Sequence, residues 1–102
     1  MDKQIILYTL APHVTYEQYQ EYVTKEKGPL LESLSTVKKF ELVKVASSTS
    51  QLAFCQYVGI LHLSSLEEFY QKDAPSTKFQ QFMQKWQPMV TNVQVLAGQE
   101  IY

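Results

Sequence analysis

The chain has 102 residues, of which 45% are hydrophobic and 19% charged, a composition typical of one globular domain. All nine basic residues are lysines and the net charge is −1, so the arginine forks that read phosphates and base edges are missing and nucleic acid is not an expected partner. A single cysteine, Cys55, excludes an intramolecular disulfide, and neither a signal peptide nor a membrane-spanning segment is predicted. We therefore expect one cytoplasmic domain over residues 1–102.

The first half of the chain predicts a strand, a helix and a second strand. Residues 4–10 are rich in β-branched and aromatic side chains, which favours a strand. Thr15 and Gln18 have the spacing of a capping box at the start of a helix. The Gly28-Pro29 pair predicts a break in that helix, because proline is tolerated only in a first turn. Residues 37–45 alternate in polarity and predict the second strand.

The second half predicts the same three elements in the same order. Residues 54–63 read as a third strand that runs into a helix capped by a serine at 64 or 65, and residues 73–75 interrupt that helix. Residues 90–102 read as the last strand, with a bulge or bend at Gly98. The order β-α-β-β-α-β predicts an α+β, ferredoxin-like fold, in which both helices cover one face of a four-stranded antiparallel sheet.

The third predicted strand is apolar on both of its faces. Because alternate side chains point to opposite sides, one face carries Phe54, Val58, Ile60 and His62, and the other carries Cys55, Tyr57, Gly59 and Leu61. Gly59 leaves room for a helix or a ligand and so assigns the second face to the helices. Burying one large apolar side chain is worth ~1.5 to 3 kcal/mol. We therefore expect the first face to pack against a second copy of the chain in a homodimer.

Three stretches carry a resemblance to a known family: "YTLAPHVTYEQYQEYV", "LSTVKKFELVKV" and "TNVQVLAGQEI". With them the sequence resembles the dimeric α+β barrel superfamily, and within it is similar to the REDY-like proteins of prodiginine biosynthesis. The resemblance implies a dimeric α+β barrel in secondary, pigment-type metabolism. It also implies that an apolar aromatic or pyrrolic intermediate is held in a pocket between helices and sheet.

Two enzyme mechanisms of that superfamily are not carried over. Polyketide cyclases use a histidine in the break of the second helix, where this sequence has residues 74–77, "APST". Haem-degrading monooxygenases need a histidine ligand in the second helix, and residues 66–89 contain none. An enzyme of either type remains only a second alternative. No metal-ligand or cofactor motif occurs, so no cofactor is expected.

Tyr57 is the candidate catalytic residue, because strand parity turns its phenol toward the helices, where it can orient or protonate a carbonyl oxygen. The residues predicted to line the pocket with it are Tyr8, His13, Tyr19, Tyr22, Phe40, Gly59, Phe82 and Trp86. His62 lies on the opposite face and is interpreted as an interface histidine rather than a general base. This hypothesis predicts that Tyr57→Phe lowers turnover by about tenfold or more.

Whether the protein is an enzyme stays open at this point. Apart from Tyr57, few residues predicted to face the pocket can transfer a proton near neutral pH. The alternatives are a non-catalytic ligand carrier that uses the same pocket and a structural dimer whose aromatic residues are ordinary core.

Overall fold

One antiparallel sheet organises the chain. The computed structural model describes residues 1–49 and 55–102. The four strands are β1 (Asp2–Leu10), β2 (Val37–Lys44), β3 (Tyr57–Leu63) and β4 (Val90–Gln99). Their order across the sheet is β2-β3-β1-β4, and every neighbouring pair is antiparallel. The predicted β-α-β-β-α-β order and ferredoxin-like sheet are confirmed.

The first connection is helical from Tyr16 to Glu32. Helix α1 (Tyr16–Tyr22) begins at the predicted capping box, in which the Gln18 N–H donates to the Thr15 hydroxyl at 3.1 Å and the Thr15 N–H donates to the Gln18 side chain at 2.9 Å. A π-helical segment (Val23–Lys27) follows and leads directly into α2 (Gly28–Glu32). The predicted break at Gly28-Pro29 is therefore wrong.

A widened turn explains why the proline does not interrupt this connection. The Gly28 N–H bonds to the carbonyl of Val23, five residues earlier, instead of four. A Cβ at position 28 would lie 3.0 Å from that carbonyl oxygen, so the close approach favours glycine. Pro29 then falls in the first turn of α2, directly after this widened turn.

The second connection is a broken helix. Ser65 caps α3 (Leu66–Glu68), a π-helical segment (Phe69–Asp73) follows, and the chain turns at residues 74–76, where a break was predicted. Helix α4 (Thr77–Trp86) then packs Phe82 and Trp86 against the sheet. All helices lie on one face of the sheet, and the core lies between them.

A buried carboxylate links the break in the second connection to the start of β2. Asp73 accepts hydrogen bonds from the Thr36 N–H at 2.8 Å, from the Ser35 hydroxyl at 3.2 Å, and from the Thr36 hydroxyl. Burial alone would raise the pKa of this carboxyl, but the hydrogen bonds from Thr36 and Ser35 outweigh it and lower the pKa. Asp73 thus joins two segments that are distant in sequence.

The bulge in β4 lies at Asn92 and not at the predicted Gly98. Two steps along β1, from Leu7 to Thr9, face three steps along β4, from Gln94 to Thr91. Asn92 has φ 53°, in the left-handed region that asparagine tolerates better than most residues. Gly98 pairs regularly with Lys3. The prediction of a bulge was right in kind and wrong in place.

Strand β3 presents two different faces. Its residues on the helix side are buried: Tyr57, Gly59, Leu61 and Leu63. Val58, Ile60 and His62 point away from the helices and are half-buried. The strand begins at Tyr57, later than predicted. Cys55 precedes it and is half-buried, and Phe54 lies outside the described residues.

The sheet surface without helices, here called the outer face, carries two apolar rows. One row joins Ile60, Ile5 and Leu96, and the other joins Val43, Val58 and Leu7. Val43 is 50% exposed and Leu96 is 53% exposed. Beside these rows, His62 Nε2 lies 2.5 Å from Glu41 Oε1, and this hydrogen bond lowers the pKa of Glu41.

Candidate functional site

A cavity of about 360 Å³ lies between the helices and the inner face of the sheet. Its wall is mostly apolar and aromatic, formed by Ile6, Leu31, Phe40, Gly59, Leu61, Phe69, Ala74, Phe79, Phe82, Met83 and Trp86. Such a volume and lining are typical of sites for small organic molecules.

The cavity opens between the second helical connection and β4. Tyr70, Val93 and Val95 line it and are between 43% and 54% exposed. At this rim the Gln4 side-chain amide donates a hydrogen bond of 3.0 Å to the Tyr70 hydroxyl. The opening therefore combines apolar side chains with one polar pair.

Lys27 brings an amine to the wall of this cavity. It lies at the end of the π-helical segment in the first connection and is only 4% exposed. Its Nζ donates hydrogen bonds of 2.9 Å to the hydroxyls of both Tyr8 and Tyr19. The two phenol oxygens are 2.5 Å apart, and the Trp86 indole N–H donates to Tyr19 at 2.9 Å. These four residues are called the lysine cluster.

The charge of Lys27 is not balanced by an acid. Among residues 1–49 and 55–102, no carboxylate forms an ion pair with it. Burial lowers the pKa of this amine to about 7, because the charged form loses its hydration. The ring centroids of Trp86, Tyr8 and Phe40 lie 4.8, 4.9 and 5.5 Å from Nζ and partly compensate that loss. Near neutral pH the cluster therefore contains both ammonium and free amine.

The phenols of the lysine cluster stay protonated at neutral pH. Burial raises the pKa of Tyr19 to about 12 and also raises the pKa of Tyr8. Both hydroxyls can consequently donate a hydrogen bond, and Tyr8 is the one that also lines the cavity. The cluster can hold an oxygen atom of a ligand and can exchange a proton with it.

The sequence contained a signal for Lys27 that the sequence analysis did not use. Lys27 is four residues after Val23 and three before Leu30, so it falls on the apolar stripe of the helix. A charged residue in such a stripe indicates a buried functional group or an ion pair. The predicted break at Gly28-Pro29 put Lys27 at the end of a helix, and the stripe was not followed through it.

The residues predicted to line the pocket are divided by the structure. Those that line the cavity are Tyr8, Phe40, Gly59, Phe82 and Trp86. Tyr19 reaches the site through its hydrogen bond to Lys27. His13 is exposed in the turn after β1, and Tyr22 lines a separate surface depression beside Glu26 and Lys85.

Tyr57 lies behind Tyr8 and does not line the cavity, contrary to its predicted role. The two rings stack with their centroids 5.5 Å apart, so Tyr8 separates Tyr57 from the cavity. Tyr57 instead borders a depression with Tyr16 and Lys44, and burial raises its pKa. Tyr8 lines the cavity at the place that the sequence analysis assigned to Tyr57.

Neither a metal centre nor a membrane span is found in the part of the chain that the structure describes. No three or more His, Cys, Asp or Glu side chains of these residues come together as metal ligands. None of the described helices is long and apolar enough to cross a membrane.

The sheet order and the one-sided helix layer define an α+β protein of the ferredoxin-like type, with a small-molecule-sized cavity under the helices. A family model described as REDY-like protein HapK matches residues 2–101. The chain belongs to this family. Among curated protein sequences none matches the chain.

Solved structures share the fold at low sequence identity. HapK from Hahella chejuensis is 20% identical with a TM-score of 0.82, over 99% of this chain and 93% of that one. Hydroxynitrile lyase from Passiflora edulis is 12% identical with a TM-score of 0.82, over 99% and 95%. A dimeric ferredoxin-like protein of unknown function from Thermobifida fusca is 12% identical with a TM-score of 0.75, over 97% and 90%. At these identities the likeness establishes the fold alone.

Proposed function

We propose that the protein binds a flat, apolar ligand that carries one polar oxygen, with that oxygen placed against Lys27 and Tyr8. The observation that carries this proposal is a buried lysine, without an acidic partner, at the wall of an otherwise apolar cavity. A lysine kept there for packing alone would cost stability, because burial disfavours its charge. A ligand oxygen repays that cost by accepting a hydrogen bond from the cluster.

The size and lining of the cavity support an aromatic or pyrrolic ligand. About 360 Å³ suits a molecule of one to a few rings, and Phe40, Phe82 and Trp86 offer ring faces and edges for stacking. Membership of the REDY-like family supports a role in secondary, pigment-type metabolism. The ligand is proposed to be an intermediate of such metabolism with a carbonyl group.

Binding can be tested with the protein's own fluorescence. Trp86 is the only tryptophan and lines the cavity, so a ligand that enters changes its emission. We expect benzamide and pyrrole-2-carboxamide to cause a saturable change, since each combines a flat ring with a carbonyl oxygen. No saturable change with either probe, and none with larger fused-ring amides, would contradict the proposed function.

Gly59 provides a matched pair of variants for that test. A Cβ at this position would meet its nearest atoms at 3.9 Å, an ordinary contact, so Gly59→Ala keeps the fold. Gly59→Leu places a branched side chain in the cavity that Gly59 lines. We expect the leucine variant to weaken amide binding by about tenfold or more, equivalent to ~1.4 kcal/mol, and the alanine variant to retain it. Equal binding by both variants would place the ligand elsewhere.

A cytoplasmic homodimer is part of the same proposal. The two apolar rows of the outer face are the surface that a second sheet would cover. The description of the Thermobifida fusca protein as dimeric supports a second copy as the occupant of that face. Each subunit would keep its own cavity, because the cavity lies on the opposite side of the sheet.

A non-catalytic carrier is the second candidate function. The hydrogen-bonding groups of the lysine cluster could hold a ligand without changing it, and the phenols are too weakly acidic to ionise at neutral pH. Turnover of a carbonyl compound would show an enzyme, and binding without turnover would show a carrier.

A further inference from the structure

We propose that the Lys27 amine forms an imine with the carbonyl carbon of an aldehyde or ketone bound in the cavity. This inference rests on the proposed function and deepens it, since it names the chemical class of the ligand and the bond that holds it. No motif in the sequence points to this chemistry. The arrangement of Lys27, Tyr8 and Tyr19 at the cavity wall does.

The hydrogen bonds of Lys27 leave one position of its nitrogen for a ligand. Two N–H groups donate to the hydroxyls of Tyr8 and Tyr19, each at 2.9 Å. Within the described parts of the chain, these are the hydrogen bonds that the amine makes. The third position carries a proton in the ammonium form and a lone pair in the amine form. Because Lys27 lines the cavity, we place this third position on the cavity side.

The amine is nucleophilic only when it is neutral, and its surroundings provide that form. The groups facing Nζ are Tyr8 from β1, Tyr19 from α1, Phe40 from β2 and Trp86 from α4. Phenols, an indole and a phenyl ring bring no negative charge to hold the proton on the amine. Desolvated lysines of this kind serve as Schiff-base residues in enzymes. At neutral pH an exposed lysine is almost entirely ammonium.

The phenols supply the proton that the reaction needs. The lone pair of Nζ attacks the carbonyl carbon and the C=O π bond breaks. The oxygen takes a proton from the Tyr8 hydroxyl, and the nitrogen returns one of its two protons to the Tyr8 oxygen. The carbinolamine hydroxyl then leaves together with the remaining nitrogen proton as one water molecule, and a C=N bond forms. The sum is an amine plus a carbonyl compound giving an imine plus water. No oxidant or reductant takes part.

The cavity favours the imine over its hydrolysis. The wall around Lys27 is mostly apolar. The Tyr8 hydroxyl is already hydrogen-bonded to the Tyr19 hydroxyl. Water expelled by a flat ligand is therefore not readily replaced near the C=N bond. The ligand is held covalently, and its carbonyl carbon is activated toward a second nucleophile. The Trp86 hydrogen bond to Tyr19 keeps the phenols oriented during the step.

Reductive trapping tests this inference on the wild-type protein. Benzaldehyde and sodium cyanoborohydride at pH 7 convert each imine into a stable benzyl-lysine, which peptide mass spectrometry locates among the nine lysines. We expect Lys27 to be labelled at least about tenfold faster than any other lysine, because about half of its amine is neutral at this pH, whereas an exposed lysine is almost entirely ammonium. Labelling of Lys27 should level off near pH 8, whereas labelling of exposed lysines should still rise toward pH 10.

Two variants and a competitor sharpen the result. Lys25 is exposed and pairs with Glu21, so Lys25→Met removes one lysine without touching the cavity and should leave the labelling of Lys27 unchanged. Lys27→Met should remove the fast label. Benzamide has nearly the same shape as benzaldehyde and cannot condense, so it should protect Lys27 by competition. If Lys27→Met fails to fold, the wild-type map and the competition still decide.

The outcomes separate this inference from the proposed function. If benzamide changes the Trp86 fluorescence but Lys27 is labelled no faster than the exposed lysines, the imine is excluded while ligand binding stands. If benzamide causes no change and does not slow the labelling, the cavity is not a carbonyl site and both proposals fail. Fast labelling of Lys27 that benzamide suppresses supports both.

Discussion

Lys27 is the residue that distinguishes this cavity from an ordinary core. Its amine is buried against two phenols and two other rings, with no carboxylate partner among the described residues. Because burial lowers its pKa from the usual 10.5 to about 7, the native state binds fewer protons than the unfolded chain between these values. Stability therefore rises with pH through this range. Above about pH 10 the buried tyrosines reverse the trend, because their pKa values are raised in the folded state.

Replacing Lys27 by methionine should make the protein more stable at pH 7. Methionine fills much of the same space without a charge to desolvate. We expect the free energy of unfolding to increase by about 1 kcal/mol or more at pH 7. We also expect the rise of the wild type between pH 7 and 10, at most ~1.4 kcal/mol per pH unit, to disappear. Urea unfolding at pH 7, 8 and 9.5 measures both. A variant with an unchanged pH profile would show that Lys27 is not desolvated.

Tyr8 and Tyr57 should differ when each loses its hydroxyl. Tyr8 lines the cavity and contacts Lys27, whereas Tyr57 stacks behind it. We expect Tyr8→Phe to weaken benzamide binding by about tenfold, the loss of one hydrogen bond. Tyr57→Phe should change it by less than about twofold. Trp86 fluorescence titration measures both variants. The reverse order would restore Tyr57 as the site residue predicted from strand parity.

The sequence could predict the aromatic composition of the site but not its centre. Strand parity and a glycine sufficed to place Gly59 and Tyr57 on the helix side, because alternation in a strand is a simple rule. Lys27 falls on the apolar stripe of the helix, so its inward position could be predicted from spacing. Its hydrogen bonds to Tyr8 and Tyr19 could not, because they depend on how the helix packs on the sheet.

At the scale of the elements, Asp73 links the end of the π-helical segment in the second connection to the residues just before β2. Its carboxylate accepts hydrogen bonds from Thr36 and Ser35 and has a lowered pKa. A lowered pKa means that the contribution to stability is present above the ordinary carboxyl pKa and is lost as the pH falls through the folded value.

Asp73→Ala should therefore destabilise the protein at neutral pH by about 1 to 3 kcal/mol, since it leaves the buried Thr36 N–H without an acceptor. The difference from the wild type should begin to shrink below about pH 4, where the carboxyl of the unfolded chain takes up a proton, and should be lost as the pH falls through the lowered pKa of the folded carboxyl. Thermal unfolding at pH 7 and pH 3 measures this. Glu21→Gln, at an exposed ion pair, is the control and should have little effect at either pH. A loss that is equal at both pH values would assign the effect to packing alone.

Each helical connection contains a π-helical segment, which capping signals, apolar periodicity and proline positions do not predict. The capping residues Thr15 and Ser65 were predictable, because a side-chain oxygen followed by Gln or Glu three residues later has a local mechanism. The widened turns at Val23–Lys27 and Phe69–Asp73 continue α1 and α3 directly, and neither begins at a side-chain cap. Local chemistry thus predicted where helices begin and failed at how they continue.

At the scale of the whole molecule, the outer face is the surface on which the proposed homodimer depends. Its six apolar side chains form two rows that each cross three strands and together include all four. None of the described helices covers these rows. The sequence predicted this surface from one strand, and the sheet order extended it to its neighbours. The number of copies it joins stays a prediction, because the structure contains one chain.

Ile60→Lys should convert the proposed dimer into a monomer. Ile60 lies in the middle of the outer face, paired with Ile5 on one side and Glu41 on the other, so a lysine there can reach a carboxylate without disturbing the strand. Burying two such lysines in a dimer would be unfavourable. We expect analytical ultracentrifugation to give half the mass of the wild type at micromolar concentration. Gln84→Lys, on the exposed side of α4, is the control and should leave the mass unchanged. A monomeric wild type would overturn the proposed assembly.

The extra residue at Asn92 decides which side chains of β4 line the cavity opening and which lie on the outer face. Val90 faces the core before the bulge, and Val93 and Val95 line the cavity opening after it, an odd step that a straight strand does not allow. With Val90 anchored, an uninterrupted ladder would send both valines to the far side of the sheet and bring Gln94 and Leu96 to the entrance. The bulge thus determines which side chains of β4 reach the cavity opening and which reach the outer face. A change that removed it would alter both surfaces together.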